Sequence, residues 1–215
     1  MSSPDNALWE QCWRDRETDF HQKTVNQLLV RYWQSLTLPA GSRIFVPLCG
    51  KSLDMLWLAG QGYEVIGVEL SPIAVRAFFR ENKLQPARRQ VGRLTEWSSG
   101  PIRIFCGDIF ALTAADLGPI AAVYDRAALT ALPEMARLAY VAHLHARARN
   151  LRAEPDGDAL VGLHPDDEGV LSESRGLALG EQVLGSPLED DRYLGHAATE
   201  TLAGAQVEGH PGPAT

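Results

Sequence analysis

The chain has 215 residues with 45% hydrophobic and 22% charged, enough for one domain with a real core and hardly enough for two. A formal net charge of −7 argues against nucleic acid as a partner, because neutralising phosphates needs a basic face. No apolar run is long enough to span a membrane and no basic-then-apolar leader opens the sequence, so a cytoplasmic protein is expected.

In chain order, the first predicted element is an aromatic helix around Leu8-Trp9-Glu10-Gln11-Cys12-Trp13, where Trp9 and Trp13, four apart, share a face. A second helical stretch runs from Val25 to Trp33 and is broken by Pro39-Ala40-Gly41-Ser42. From Arg43 the pattern becomes strand, helix, strand, helix. Ile44-Phe45-Val46-Pro47-Leu48 reads as a strand buried on both faces. Ser52 to Gly60 is helical, and Tyr63 to Leu70 is a second strand. Ser71 caps and Pro72 starts a helix to about Asn82. Ile102 to Cys106 and Ile120 to Tyr124 are the third and fourth strands. Pro133 to about Asn150 is helical, and Asp158 to Leu163 supplies a fifth strand. Such alternation predicts an α/β fold, a parallel sheet with right-handed crossovers and helices on both faces. The ligand of such a sheet sits beyond the carboxyl ends of its strands.

Four polar features fall at those ends. The turn Pro47-Leu48-Cys49-Gly50-Lys51-Ser52 offers a glycine for close backbone approach and a helix N-terminus behind it. It is no triphosphate loop, since that motif needs a glycine where this chain has Phe45. Glu69 lies nineteen residues after Gly50, where a carboxylate can accept from both ribose hydroxyls of an adenosine cofactor. Asp108-Ile109 suits an adenine, which offers an exocyclic amine and an apolar face. Arg126 can hold a cofactor or an anionic acceptor, or simply pair with Asp125 or Glu69. Cys12, Cys49 and Cys106 are scattered and odd in number, so they suggest neither a disulfide framework nor a metal site. Taken alone, these residues imply adenosine binding and leave a nicotinamide or other nucleotide cofactor open.

The sequence resembles the thiopurine S-methyltransferase family, particularly its bacterial branch. The match rests on Trp9-Glu-Gln-Cys-Trp13, Phe20-His21, the run FVPLCGKSLDMLWLAGQGYEVIGVELSPIAVRAFFREN from Phe45 to Asn82, Trp97-Ser-Ser-Gly100, Cys106-Gly-Asp-Ile-Phe110 and Tyr124-Asp-Arg-Ala-Ala-Leu129. The resemblance implies a Rossmann-like class I methyltransferase fold and S-adenosyl-L-methionine as cofactor. It implies Trp13, Leu48, Glu69 and Arg126 as cofactor residues, with Asp108 and Ile109 near the adenine and Arg126 available to position the acceptor. The implied activity is methylation of aromatic or heterocyclic thiols, with selenium or tellurium oxyanions as further acceptors. A thiolate is already nucleophilic, so no dedicated catalytic base is assigned. Trp9, Trp13, Phe20 and Trp33 can form an aromatic lid over the acceptor and the sulfonium, or Trp9 and Trp33 can simply be helix-packing residues. A small-molecule acceptor and a monomer are expected.

The resemblance covers about the first 145 residues. From Leu144 to Thr215 there is no Phe, Ile, Trp or Met, and thirteen acids face five arginines, a composition poor at burying area. Three domains are expected: a helical lid segment over 1–42, a cofactor-binding core over 43–163, and a tail over 164–215 that is disordered, out of frame or a divergent lid, with the last sheet strands missing or degenerate. Such a tail leaves open a non-catalytic relative that keeps only the cofactor-side motifs.

Overall fold

A computed structural model describes residues 4–18, 20–126, 128–148 and 159–163, all within the first of the two units into which the chain divides, Met1–Leu177. The expected tail over 164–215 lies outside the described residues.

The N-terminal segment forms helix α1 (Pro4–Asp15), helix α2 (Gln27–Tyr32) and a 3-10 turn over Trp33–Leu36. The Asn26 side chain caps α2 by accepting from the N–H groups of Leu28 and Leu29. The core then follows as β1 (Arg43–Val46), α3 (Asp54–Gly60), β2 (Glu64–Glu69), α4 (Pro72–Glu81), β3 (Ala87–Val91), β4 (Leu94–Ser99) and β5 (Ile102–Cys106). It continues through α5 (Ala114–Leu117), β6 (Ala122–Arg126), α6 (Ala128–Ala131), α7 (Glu134–Ala148) and β7 (Ala159–Leu163). Ser71 caps α4 as its sequence implies, accepting from Ile73 and Ala74, with Pro72 at the first position.

The sheet order is β3-β4-β5-β2-β1-β6-β7. The five strands β5, β2, β1, β6 and β7 are mutually parallel and reproduce the 3-2-1-4-5 order of a Rossmann-like doubly wound sheet. The expected parallel sheet is therefore correct for these five strands, but the whole sheet is mixed. β3 pairs antiparallel with β4, and β4 antiparallel with β5. Gly92, at φ 55, opens the two-residue link between the paired Val91 and Leu94, where tight hairpin turns favour glycine. β3 is the sheet edge and is exposed along Ala87–Gln90.

Successive strand residues feed two separate cores. Ile44, Val46, Val65, Ile104 and Tyr124 pack with Leu29, Trp33, Met55, Leu58, Phe78 and Phe79 on one face. Phe45, Ile66, Val68, Phe105 and Val123 pack with Leu117, Ile120, Tyr140 and Leu144 on the other. This period-two division between two covered faces is why the strands read as continuous apolar runs rather than alternating ones.

Candidate functional site

The turn after β1 is the centre of the site. Leu48 and Gly50 both take left-handed conformations, at φ 46 and φ 54, the first a strained choice for a residue with a side chain. The Cys49 N–H donates to the Val68 carbonyl at 3.0 Å, which fastens the turn to β2. A Cβ on Gly50 would stand 3.3 Å from Trp13 Cζ2, so glycine provides both the dihedral and room for the indole. Trp13 is itself buried, and Phe20 meets both it and Trp9 edge-to-face at centroid distances of 5.4 and 5.5 Å.

Glu69 ends β2 with only 7% of its surface exposed. Its two carboxylate oxygens accept from the backbone N–H groups of Gly50 at 2.8 Å and Ser71 at 2.7 Å. Burial pushes this carboxyl up to about 7, while hydrogen bonds from Ser71, Gly50 and Leu70 oppose the rise. Each oxygen keeps a further lone pair for a ligand hydroxyl. The neighbouring strand end joins this group directly, because the Gly107 N–H donates to the Glu69 carbonyl at 2.9 Å. Asp108 follows, its carboxylate accepting from the Phe110 N–H at 2.9 Å, and Ile109 is buried beside it. From α7, His143 lies edge-to-face on Phe110 at 5.2 Å.

Arg126 ends β6 and pairs neither with Asp125 nor with Glu69. Its Nε stands 3.3 Å from Oδ2 of Asp54, on α3. Asp125 is occupied elsewhere, accepting from the Ala128 N–H at 2.9 Å and the Tyr140 hydroxyl at 2.6 Å. Since β5, β2, β1 and β6 are adjacent, the four polar features fall on neighbouring carboxyl ends. Trp13, Leu48, Glu69, Asp108 and Ile109 form one connected group, and Arg126 stands two strands from Glu69, across β1.

One of the two readings of Trp33 is decided here. Trp33 is not part of an aromatic lid; it is fully buried and packs edge-to-face on Tyr63 and Tyr124 at 5.9 and 6.2 Å. An open polar cleft of about 670 Å³, whose lining includes His21, Lys23, Lys51, Glu81 and Asn82, contains none of the six expected cofactor residues. Lys51 bridges to Glu81 at 2.9 Å across it. Burial, followed by the charge of Lys51, lowers His21 from its ordinary value. Burial likewise pushes the Cys49 thiol up, and Cys106 to about 11, which keeps both thiols protonated and inert. Among the described residues no cluster of three His, Cys, Asp or Glu is placed to hold a metal, and no helix is long and apolar enough to cross a membrane.

The profile of the thiopurine S-methyltransferase (TPMT) family matches residues 4–154. The chain belongs to this family. A thiopurine S-methyltransferase of Stutzerimonas stutzeri is 62% identical over 144 residues, which take in 67% of this chain and 61% of that protein. One of Bordetella petrii is 52% identical over 141 residues, 66% of this chain and 64% of that protein. In both cases the chain spans less than two thirds of the relative's length. A thiopurine S-methyltransferase of Pseudomonas putida is 47% identical over 205 residues, covering 91% of this chain and 95% of that one. That match therefore extends beyond the region of the family profile. A more distant likeness, at 18% identity and a TM-score of 0.46, is to a TehB-like SAM-dependent methyltransferase from Corynebacterium glutamicum, covering 83% of this chain and 79% of that one. In this member of the family, the turn Pro47–Ser52 and Glu69 are the parts of the described site with the most complete set of contacts.

Proposed function

We propose that this chain transfers a methyl group from S-adenosyl-L-methionine to the sulfur of aromatic or heterocyclic thiols. The observation that carries the reading is the Glu69 carboxylate, buried at a strand end and fixed by the Gly50 and Ser71 N–H groups, in a chain of the TPMT family. The donor set fits an adenosine cofactor. Glu69 keeps lone pairs for a ribose diol, Gly50 has no side chain to block the backbone, and Asp108 and Ile109 pair an acceptor with an apolar surface.

In this reading Glu69 holds the ribose, Asp108 and Ile109 hold the adenine, and Leu48 shapes the turn beneath them. Trp13 and Phe20 present aromatic faces, which attract a cation and exclude water. The bound cofactor supplies an activated methyl on a sulfonium. Arg126 orients an anionic or polarised acceptor, so that the chain contributes position and electrostatics rather than a nucleophile of its own. An aromatic thiol ionises readily, so methyl transfer to it does not demand a protein base. Selenium or tellurium oxyanions are further acceptors to be assayed.

Calorimetric titration with S-adenosyl-L-methionine and with NAD tests the cofactor assignment. Micromolar heat with the first and none with the second is expected; binding of NAD alone would sink it. Glu69→Gln should then weaken cofactor binding by about 1.5–3 kcal/mol, the usual worth of a charge-assisted hydrogen bond. An unchanged dissociation constant removes Glu69 from the site. Methyl transfer to thiophenol separates an enzyme from a relative that binds cofactor and does no chemistry.

A further inference from the structure

Asp54 opens α3 and is 1% exposed. Three groups from other segments converge on its carboxylate. The Asn26 backbone N–H donates to Oδ1 at 2.8 Å, the Tyr124 hydroxyl donates to Oδ2 at 2.9 Å, and Arg126 Nε is 3.3 Å from that same Oδ2. Tyr124 and Arg126 are two apart on β6 and so face the same way. The closest approach of the pair is through Nε, and the guanidinium carries further N–H donors beyond it. Asn26 is also the cap of α2, so the carboxylate that holds Arg126 holds the end of the segment carrying Trp13 and Phe20. His21, on that segment, feels the charges of both Arg126 and Asp54.

We infer that Asp54 is the positioning residue for Arg126, one carboxylate setting the direction of the guanidinium and the seat of the N-terminal segment together. This rests on the reading of Arg126 as a site residue. A buried carboxylate with a cationic partner is costly to leave half-made, so its geometry is rigid, and small displacements near a reacting centre are expensive in rate. In Asp54→Asn the amide oxygen still accepts from the Asn26 N–H, but the charge that aligns Arg126 is gone.

The test uses the full chain, S-adenosyl-L-methionine and thiophenol, with kcat, KM and melting measured for Asp54→Asn, Arg126→Ala and the double variant. Each single change is expected to lower kcat/KM on the order of tenfold or more, with the loss in kcat, and the double variant should be no worse than the poorer single. Independent, multiplying losses in the double variant overturn the proposal, because Asp54 would then act apart from Arg126. So does wild-type kcat in Asp54→Asn beside a crippled Arg126→Ala. Full activity in Arg126→Ala instead removes the reading of Arg126 on which the proposal stands. If Asp54→Asn fails to melt cooperatively, Asp54→Glu keeps the charge and displaces it by one methylene. A folded Asp54→Glu with reduced kcat supports positioning, and wild-type kcat overturns it.

Discussion

Glu69 shows how burial and function pull against each other at one residue. Ordinary carboxylates are ionised at pH 7, but desolvation raises this one from 4.5 to about 7. The folded state thus holds a proton that the unfolded chain releases between these values. The resulting stability is complete below about pH 4.5 and is lost as pH rises to about 7. Comparing the melting temperature of wild type and Glu69→Gln across this range checks the sign: the wild type should lose ground to the variant with rising pH, and parallel curves would refute it. Cofactor affinity should run the other way, because an ionised carboxylate is the stronger acceptor for two hydroxyls. Affinity is expected to increase as pH passes about 7 in the wild type and to stay flat in Glu69→Gln, measured by calorimetry at several pH values.

At the scale of elements, the helix that follows Glu69 separates stability from binding. Ser71 donates its backbone N–H to Glu69 and uses its side chain to cap α4. Ser71→Ala keeps the first bond and loses the second, so it should cost about 1 kcal/mol. That corresponds to roughly 2–4 °C of melting temperature for a chain of this size, with cofactor affinity nearly unchanged. A large loss of affinity would mean that the cap also shapes the site. These elements were legible in the sequence because their signals are local: Ser71-Pro72 marks a helix start, and the apolar run ending at Glu69 marks a buried strand. The hairpin of β3 and β4 was not legible. Ala87-Arg-Arg-Gln-Val91 is exposed along nearly its whole length, so it buries no face and shows no alternation. The Asp54 cluster was hidden for a different reason. Its partners, Asn26, Tyr124 and Arg126, are distant in the chain, and an acid in a first helical turn already has a local explanation in the helix dipole. The same distance misdirected Arg126, whose expected partners were its neighbour Asp125 and the other strand-end acid, Glu69.

At the scale of the whole molecule, the hairpin places an exposed strand at one edge of the described sheet. Among the described residues β3 is an edge strand of the sheet, and such an edge is a template for adding strands from a second molecule. Arg88 lies over the Trp97 ring at 3.8 Å, and Arg89 bonds Glu96 at 2.7 Å, so two bulky cations are anchored along that edge. Replacing both by valine would remove the charges and raise β propensity together. The expected result is a rise in light scattering with concentration that the wild type does not show; equal scattering would show that the edge is guarded by something else. The exposed strand β3 is thus expected to have a colloidal task, keeping a crowded solution of these molecules from polymerising edge to edge.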